Sequence, residues 1–179
     1  RVYLPTAGLM AMVRAWLAGV MGQIDILDPA GRRRERFAAD DGIVEQTALN
    51  MAHAFLEGES LTGRVPELSC FFQRDSGWPV LNTVIAHTSE GTTIPTLGVI
   101  AETFGLTKSQ VANVVGKAVD RGLLVRDGTR TLLATPDLVA ANRRWIAVFL
   151  AFLMRASTPD GRIDDRVAAE AFAARRAGA

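Results

Sequence analysis

Two short helices are predicted between residues 97 and 121 by the spacing of the apolar positions. In the first helix these positions recur three and four residues apart, at Leu97, Ile100, Ala101 and Phe104. Gly105 permits a left-handed stop, and Thr107 with Gln110 has the form of a capping box that starts the next helix. That second helix is expected to bury Val111, Ala112, Val115, Ala118 and Val119. The segment is therefore expected to fold as two helices joined by a tight turn.

The opposite face of the second helix is small, polar and basic. Amides can bond adenine edges, hydroxyls can bond bases or phosphates, and lysine can reach guanine or phosphate. Low bulk also suits a helix that lies in a major groove. The predicted DNA-binding residues on this helix are Thr107, Lys108, Ser109, Gln110, Asn113 and Lys117.

A β-hairpin is predicted directly after this helix. Leu123–Arg126 and Arg130–Ala134 are strand-like runs on either side of Asp127-Gly128, a strong turn signal. A hairpin in this position is a wing, and we expect Arg130 to touch phosphate or the minor groove. The alternative interpretation is a winged-helix module that binds a partner protein and does not bind DNA.

Residues 97–126, LGVIAETFGLTKSQVANVVGKAVDRGLLVR, resemble the MarR-type winged helix-turn-helix transcription regulators. The likeness extends to GWPVLNTVIAH at Gly77–His87 and to LATPDL at Leu133–Leu138. The resemblance implies a homodimer that binds a pseudo-palindromic operator and often releases DNA when a small ligand or an oxidant arrives. The chain departs from the family pattern in its wing, which lacks the usual D-x-R element, and at Asn113, where the family often has a basic residue.

Long helices are predicted on both sides of this module. The first runs from Pro5 to about Ile26, and the second runs from Asp40 or Asp41 to about Glu57. The stripe expected to face inward on the first helix is Leu9, Met12, Val13, Trp16, Val20 and Ile24. On the second helix the residues expected to face inward are Ile43, Thr47, Ala48, Met51 and Phe55. Leu17 and Met21 widen the stripe of the first helix, so it is expected to need more than one neighbour.

A last long helix is predicted from a Thr135 cap to about Ala156, and it is apolar on all sides from Trp145 to Met154. A helix that is apolar all round has to be covered all round. We therefore expect this helix and the wide first helix to cover each other across the two-fold axis of a homodimer.

The predicted fold class is mainly α: a winged helix-turn-helix with a short β-hairpin wing and flanking long dimerisation helices. Residues 1–74 would form an N-terminal helical dimerisation or accessory region, 75–135 the DNA-binding domain, and 136–179 a C-terminal dimerisation helix and tail. The basic run Arg32–Arg36 is interpreted as a solvated loop, with a phosphate-contacting arm as the alternative. A small-molecule effector, if the protein has one, is expected near Trp16, Phe55 and Trp78.

Composition narrows the class of protein further. The 179 residues carry a net charge of only +1, so DNA contact must come from a local patch that dimerisation doubles. The single cysteine, Cys70, excludes an internal disulfide framework and fits a reducing cytosol. Its apolar neighbours favour an inert thiol over a redox switch.

The remaining expectations are negative. With His53 and His87 as the only histidines, we expect no metal site. The sequence has no glycine-rich phosphate loop and no hydrolase or metalloprotease motif, so we expect no catalytic residue, no enzymatic activity and no cofactor. Arg14 interrupts the first apolar stretch, and Trp145–Met154 is far shorter than the roughly twenty residues that span a bilayer. We expect a cytoplasmic protein that makes no membrane contact.

Overall fold

The computed structural model describes residues 6–73, 76–127 and 131–158. Helices account for 76% of these residues, and the strands found among them form one antiparallel pair, so the mainly α prediction is confirmed. The chain divides into two compact units. The N-terminal unit comprises Arg1–Glu59 with Phe149–Ala179, and the central unit comprises Ser60–Val148. The sequence analysis placed a domain boundary between residues 74 and 75, according to the roles expected of the two parts. The contacts in the structure place the residues from Ser60 onward in the central unit instead.

Three helices and the end of a fourth make up the described part of the N-terminal unit. They are α1 (Ala7–Leu27), α2 (Arg33–Ala39), α3 (Asp41–Leu56) and the last turns of α8 (Pro136–Ala156). Thr6 caps α1 through its hydroxyl, and the Asp40 carboxylate caps α3 by accepting from the Gly42 N–H at 2.8 Å. The predicted extents of both long helices are confirmed to within about two residues, apart from Pro5, which lies outside the described residues.

The inward face of α1 was only partly predicted. The buried residues of α1 are Leu17, Met21 and Ile24, whereas Leu9, Met12 and Trp16 are exposed to 44%, 63% and 46%. Periodicity detected a wide apolar surface but could not tell which part of it would be covered. Helix α1 packs most extensively against α2, a helix that the sequence pattern did not predict.

The inward face of α3 was also only partly predicted. Thr47 is buried as expected and Ile43 and Met51 are half-buried, but Ala48 and Phe55 are exposed and Val44 is buried instead. The ring of Phe55 nevertheless contacts Phe152 of α8, with their centroids 5.2 Å apart.

The loop predicted at Arg32–Arg36 was wrong, because most of it belongs to α2. The carboxylate of Asp25 in α1 accepts the backbone N–H groups of Arg33 and Arg34 at 2.9 and 2.8 Å, so it acts as a cap for α2. The Arg33 guanidinium also donates to the Asp28 carboxylate at 2.6 Å. Burial alone would raise the pKa of Asp25, but the two backbone N–H groups and the Arg33 guanidinium hold it below its ordinary value.

Among the described residues, the central unit contains four α-helices, two strands and the first part of α8. In chain order the elements before α8 are α4 (Ser69–Phe72), α5 (Gly77–Glu90), α6 (Leu97–Thr103), α7 (Lys108–Asp120), β1 (Leu124–Asp127) and β2 (Thr131–Ala134). The segment from Val65 to Gln73, for which the sequence pattern predicts no element, is held in place by its buried side chains. Its buried residues are Val65, Leu68, Cys70 and Phe71.

Close contacts define the packing of α4 and α5. A Cβ at Gly77 would lie only 1.9 Å from the Phe71 carbonyl oxygen, so no other residue fits where the chain enters α5. Aromatic rings then close the unit: Phe72 lies 5.7 Å from Trp78 and 4.7 Å from Trp145 of α8, measured between ring centroids. Helix α5 in turn packs against α6, α7 and β2.

By length and composition alone, α1 passes the test for a helix able to cross a membrane, with 17% of its most apolar window buried. The core helix of a soluble protein and a signal sequence can pass the same test. The finding therefore identifies an apolar helix and goes no further.

Candidate nucleic-acid interface

Helices α6 and α7 are joined by a turn whose hydrogen bonds are local. The Thr96 hydroxyl caps α6, and Gly105 has a left-handed φ of 63° that ends it. The Leu106 N–H then donates to the Ala101 carbonyl at 2.8 Å, which folds the chain back on α6. The predicted helix pair is confirmed at these positions, and α6 starts at Leu97.

The capping box predicted at the start of α7 is confirmed. The Thr107 hydroxyl accepts the Gln110 N–H at 3.2 Å, and the Gln110 side-chain oxygen accepts the Thr107 N–H at 2.8 Å. Ser109 contributes a further hydroxyl contact to Thr107 at 3.0 Å. These bonds hold the first turn of α7 in one geometry, and they also occupy the amide oxygen with which Gln110 would read a base.

The apolar face of α7 is tightly buried. Val111, Val115 and Ala118 are fully buried as predicted, whereas Ala112 and Val119 are only half-buried. Val114, which the sequence interpretation left out, is fully buried. Its position one turn from both Val111 and Ala118 was the available signal.

The outward stripe of α7 is centred on residues three and four positions apart: Ser109, Asn113, Gly116 and Asp120. A Cβ at Gly116 would meet nothing within 4 Å, so this stripe is open as well as polar. Asp120 is exposed at its end, and the sequence interpretation missed this carboxylate. The stripe can accept hydrogen bonds as well as donate them.

Of the predicted DNA-binding residues, Thr107, Lys108, Ser109, Gln110 and Asn113 are exposed. Within the part of the chain that the structure describes, the Lys108 and Asn113 side chains make no hydrogen bond or ion pair, so both can reach outward. Lys117 is half-buried on the flank that faces α4. Arg130 lies outside the described residues, as do Gly128 and Thr129.

The predicted hairpin is confirmed, with β1 starting one residue later than expected. Val125 pairs with Leu133 and Arg126 pairs with Leu132 in an antiparallel register. Leu132 is buried, but Val125 and Leu133 are 49% and 48% exposed, directly opposite each other. The hairpin therefore shows solvent an apolar pair next to the exposed Arg126.

Charges around α7 nearly balance. The cationic groups on α7 and the segment after it are Lys108, Lys117, Arg121 and Arg126, and exposed carboxylates nearby in the chain are Glu102, Asp120 and Asp127. One copy of this surface would attract a polyanion only weakly, so affinity would depend on local contacts and on a second copy.

Cys70 is buried beneath the C-terminal end of α7. Burial raises the pKa of its thiol, and the nearby Arg121 guanidinium and Lys117 ammonium oppose the shift without reversing it. Arg121 also donates to the Ser69 hydroxyl at 2.5 Å. A buried thiol with a raised pKa is protonated at neutral pH, which supports the interpretation of an inert cysteine.

The three residues predicted near an effector lie in different units. Trp16 and Phe55 belong to the N-terminal unit, where Trp16 lies 6.4 Å from Phe149 between ring centroids. Trp78 belongs to the central unit and lies at an edge-on angle to Trp145. Their joint role in binding a ligand stays a prediction. Among the described residues, no group of three or more His, Cys, Asp or Glu side chains is placed to hold a metal ion.

Comparison of the chain with protein-family models, with curated proteins and with solved structures gives no match.

Proposed function

We propose that the protein is a sequence-specific DNA-binding transcriptional regulator of the winged helix-turn-helix type, similar to the MarR-type regulators, which acts as a homodimer on a pseudo-palindromic operator. The observation that carries this proposal is the outward stripe of α7. It is small and polar, begins at a locked capping box and is followed at once by a hairpin. A helix with that surface can enter a major groove without steric conflict.

The roles of the individual residues follow from their exposure. Asn113 lies at the middle of the stripe, where an amide can pair with an adenine edge. Lys108 lies at the N-terminal end of α7, where its ammonium group and the partial positive charge of the helix end both favour a phosphate. Ser109 and Thr107 add hydroxyls for phosphate or base contacts, and Lys117 reaches only the flank.

A homodimer is proposed because α1 presents an apolar face to solvent. Leu9, Met12 and Trp16 share one face of α1, and Ile26 and Leu27 are 71% and 63% exposed near its end. Exposed apolar patches of this kind mark protein contacts. A second copy of the chain would cover the same face on both partners, and it would present two α7 helices to successive major grooves about 34 Å apart.

The test is fluorescence anisotropy of the protein with the DNA upstream of its own gene and with a shuffled control, each at two salt concentrations. Asn113→Arg and Asn113→Glu are the informative variants, since Asn113 is exposed and contacts nothing that folding needs. We expect Asn113→Glu to bind native DNA about tenfold more weakly, and Asn113→Arg to bind native and shuffled DNA with a smaller difference between them and a steeper salt dependence.

Asn82 on α5 provides the matched control. It is also an exposed asparagine within a helix of the central unit, so Asn82→Arg and Asn82→Glu change the net charge of the same unit by the same amount. The proposal predicts a small effect there and a large one at Asn113. Equal effects at both positions, or no difference between native and shuffled DNA, would contradict sequence-specific reading by α7.

A protein-binding module is the second candidate function, and the exposed pair Val125 and Leu133 favours it. Val99 and Phe104 of α6 are also 50% and 45% exposed. An apolar surface of this kind binds protein through contacts that salt hardly weakens. A partner captured equally well at low and high salt, together with salt-insensitive and negligible DNA binding, would support the module over the regulator.

A further inference from the structure

A cavity of 550 Å³ lies within the central unit, where three segments meet. The turn before α4 contributes Glu67, the first residue of α4 is Ser69, the segment directly after α7 contributes Arg121 and Leu123, and α8 contributes Asp137 and Arg144. The volume is within the usual range for small-molecule sites, about 300–1,000 Å³. The residues that line this cavity do not include Trp16, Phe55 or Trp78, near which the sequence predicted an effector.

The charges that line the cavity fall into two groups. Arg144 and Glu67 form an ion pair with nitrogen and oxygen 2.6 Å apart, and they neutralise each other. Arg121 and Asp137 are then left as one cation and one anion. Asp137 has no ion-pair partner among the described residues, and it lies in the first turn of α8.

The guanidinium of Arg121 has hydrogen-bond donors available to bind an anion. One of its nitrogens donates to the Ser69 hydroxyl, which leaves most of the five N–H donors of the guanidinium available. A guanidinium fork of this kind matches the two oxygens of a carboxylate, and the Ser69 hydroxyl can add a third bond. The buried side chain of Leu123 supplies an apolar surface beside these polar groups.

We infer that this cavity binds a free α-amino acid, with its carboxylate on Arg121 and Ser69 and its ammonium group on Asp137. A dianion is disfavoured because Glu67 and Asp137 would repel the second negative charge. A cation without a carboxylate would leave Arg121 unmatched. A zwitterion satisfies both unpaired groups and adds no net charge to the site.

Such a ligand would act on DNA binding, and this step rests on the proposed function. Arg121 ends α7, and its backbone N–H donates to the Lys117 carbonyl at 3.2 Å. An amino acid that bridges Arg121 and Asp137 would connect the end of α7 to the first turn of α8. The position of α7 would then depend on ligand, and by thermodynamic reciprocity DNA would alter ligand affinity by the same factor.

The binding test uses the whole protein without DNA. Isothermal titration calorimetry is run with each of the twenty standard amino acids at millimolar concentration, and any that binds is compared with its N-acetyl and methyl-ester derivatives. We expect at least one amino acid to bind and both derivatives to bind at least tenfold more weakly. No binding by any of the twenty, or equal binding by a derivative, would overturn the inference.

Variants assign the binding to the cavity. Asp137→Asn and Arg121→Gln are each expected to weaken binding at least tenfold, whereas Arg143→Gln, an exposed arginine of α8 outside the cavity, should leave it unchanged. If Arg121→Gln lowers the melting temperature through the lost Ser69 contact, Asp137→Asn alone decides. Undiminished binding by Asp137→Asn would overturn the inference.

Anisotropy with DNA then separates the two proposals. If the protein binds the amino acid but no DNA, the result supports the amino-acid site and contradicts the proposed function as a DNA-binding regulator. If calorimetry shows that the amino acid binds, but the affinity for the operator is the same at zero and saturating amino acid, the amino acid is not an effector of DNA binding.

Discussion

The outward faces of helices α1 and α7 are opposite in polarity. Helix α7 buries a compact valine and alanine stripe and presents small polar residues around Asn113. Helix α1 buries Leu17, Met21 and Ile24 and still presents Met12 and Trp16 to solvent. The difference indicates the kind of partner that each helix can bind. A polar DNA groove suits α7, and an apolar protein surface suits α1.

Removing the apolar face of α1 should have the largest effect. In a Met12→Ser, Trp16→Ser double variant we expect the dimer dissociation constant to rise at least about a hundredfold, because buried tryptophans often contribute 2 kcal/mol or more to an interface. Sedimentation equilibrium measures the change, and circular dichroism checks that the helices persist.

Leu56→Ser is the matched control for this face, since Leu56 is 84% exposed at the end of α3. A wild-type protein that is monomeric at high concentration would contradict the dimer. If that monomer also sediments with phospholipid vesicles, the apolar face of α1 belongs to a membrane surface and the contrast with α7 takes a different meaning.

Gly77→Ala tests the tightest internal contact of the central unit. The added methyl group would meet the Phe71 carbonyl, which cannot move without displacing α4, so we expect a loss of about 3 kcal/mol. Urea unfolding measures the loss. Gly116→Ala is the control and should stabilise the protein by up to about 1 kcal/mol, because α7 has open space there. A loss at Gly77 no larger than the change at Gly116 would show that the contact is not tight.

Asp25→Asn tests the contact within one chain by which α1 stabilises α2, namely the Asp25 cap. We expect a loss of about 2 kcal/mol near neutral pH, because the carboxylate accepts two backbone N–H groups and faces Arg33. The lowered pKa of Asp25 means that its contribution is complete above the unfolded value near pH 4 and is lost as the pH falls through the folded value.

Urea unfolding of wild type and Asp25→Asn across that range should therefore give a stability difference that is constant above about pH 5 and shrinks in more acidic solution. Glu45→Gln, an exposed carboxylate of α3, should show no such difference. A gap between wild type and Asp25→Asn that widens with acidity would contradict the assigned direction of the pKa shift.

Thr107→Ala should have the smallest effect, a loss of about 1 kcal/mol from the cap of α7. Thr107→Ser keeps the hydroxyl and should retain most of the stability, which chemical denaturation can resolve. An equal loss in both variants would mean that the methyl group, and not the capping box, stabilises this turn.

The sequence was informative where structure depends on near neighbours. The capping box at Thr107, the stop at Gly105 and the hairpin after α7 rest on contacts within a few residues, so each was predictable. Helix α2 was not, since its cap is Asp25, which belongs to another helix. The orientation of α1 was only partly predicted for a related reason, because choosing among its apolar stripes requires knowledge of α2.

The candidate interface shows the same limit. The exposed positions of α7 followed from helical spacing, which is why Asn113 and Lys108 were identified correctly as outward-facing. The half-burial of Lys117 depends on α4, a helix of only four residues whose order comes from its buried side chains. No pattern within the sequence of α4 signals that packing.

The Asp25 cap sets an order of events during folding. Helix α2 has seven residues, too few to persist alone in water. Its first N–H groups are satisfied only when the final turn of α1 is already wound and aims its carboxylate at them. As the chain leaves the ribosome, α1 emerges before α2 and must be wound before α2 can hold, so the earlier of the two helices acts as a template for the next.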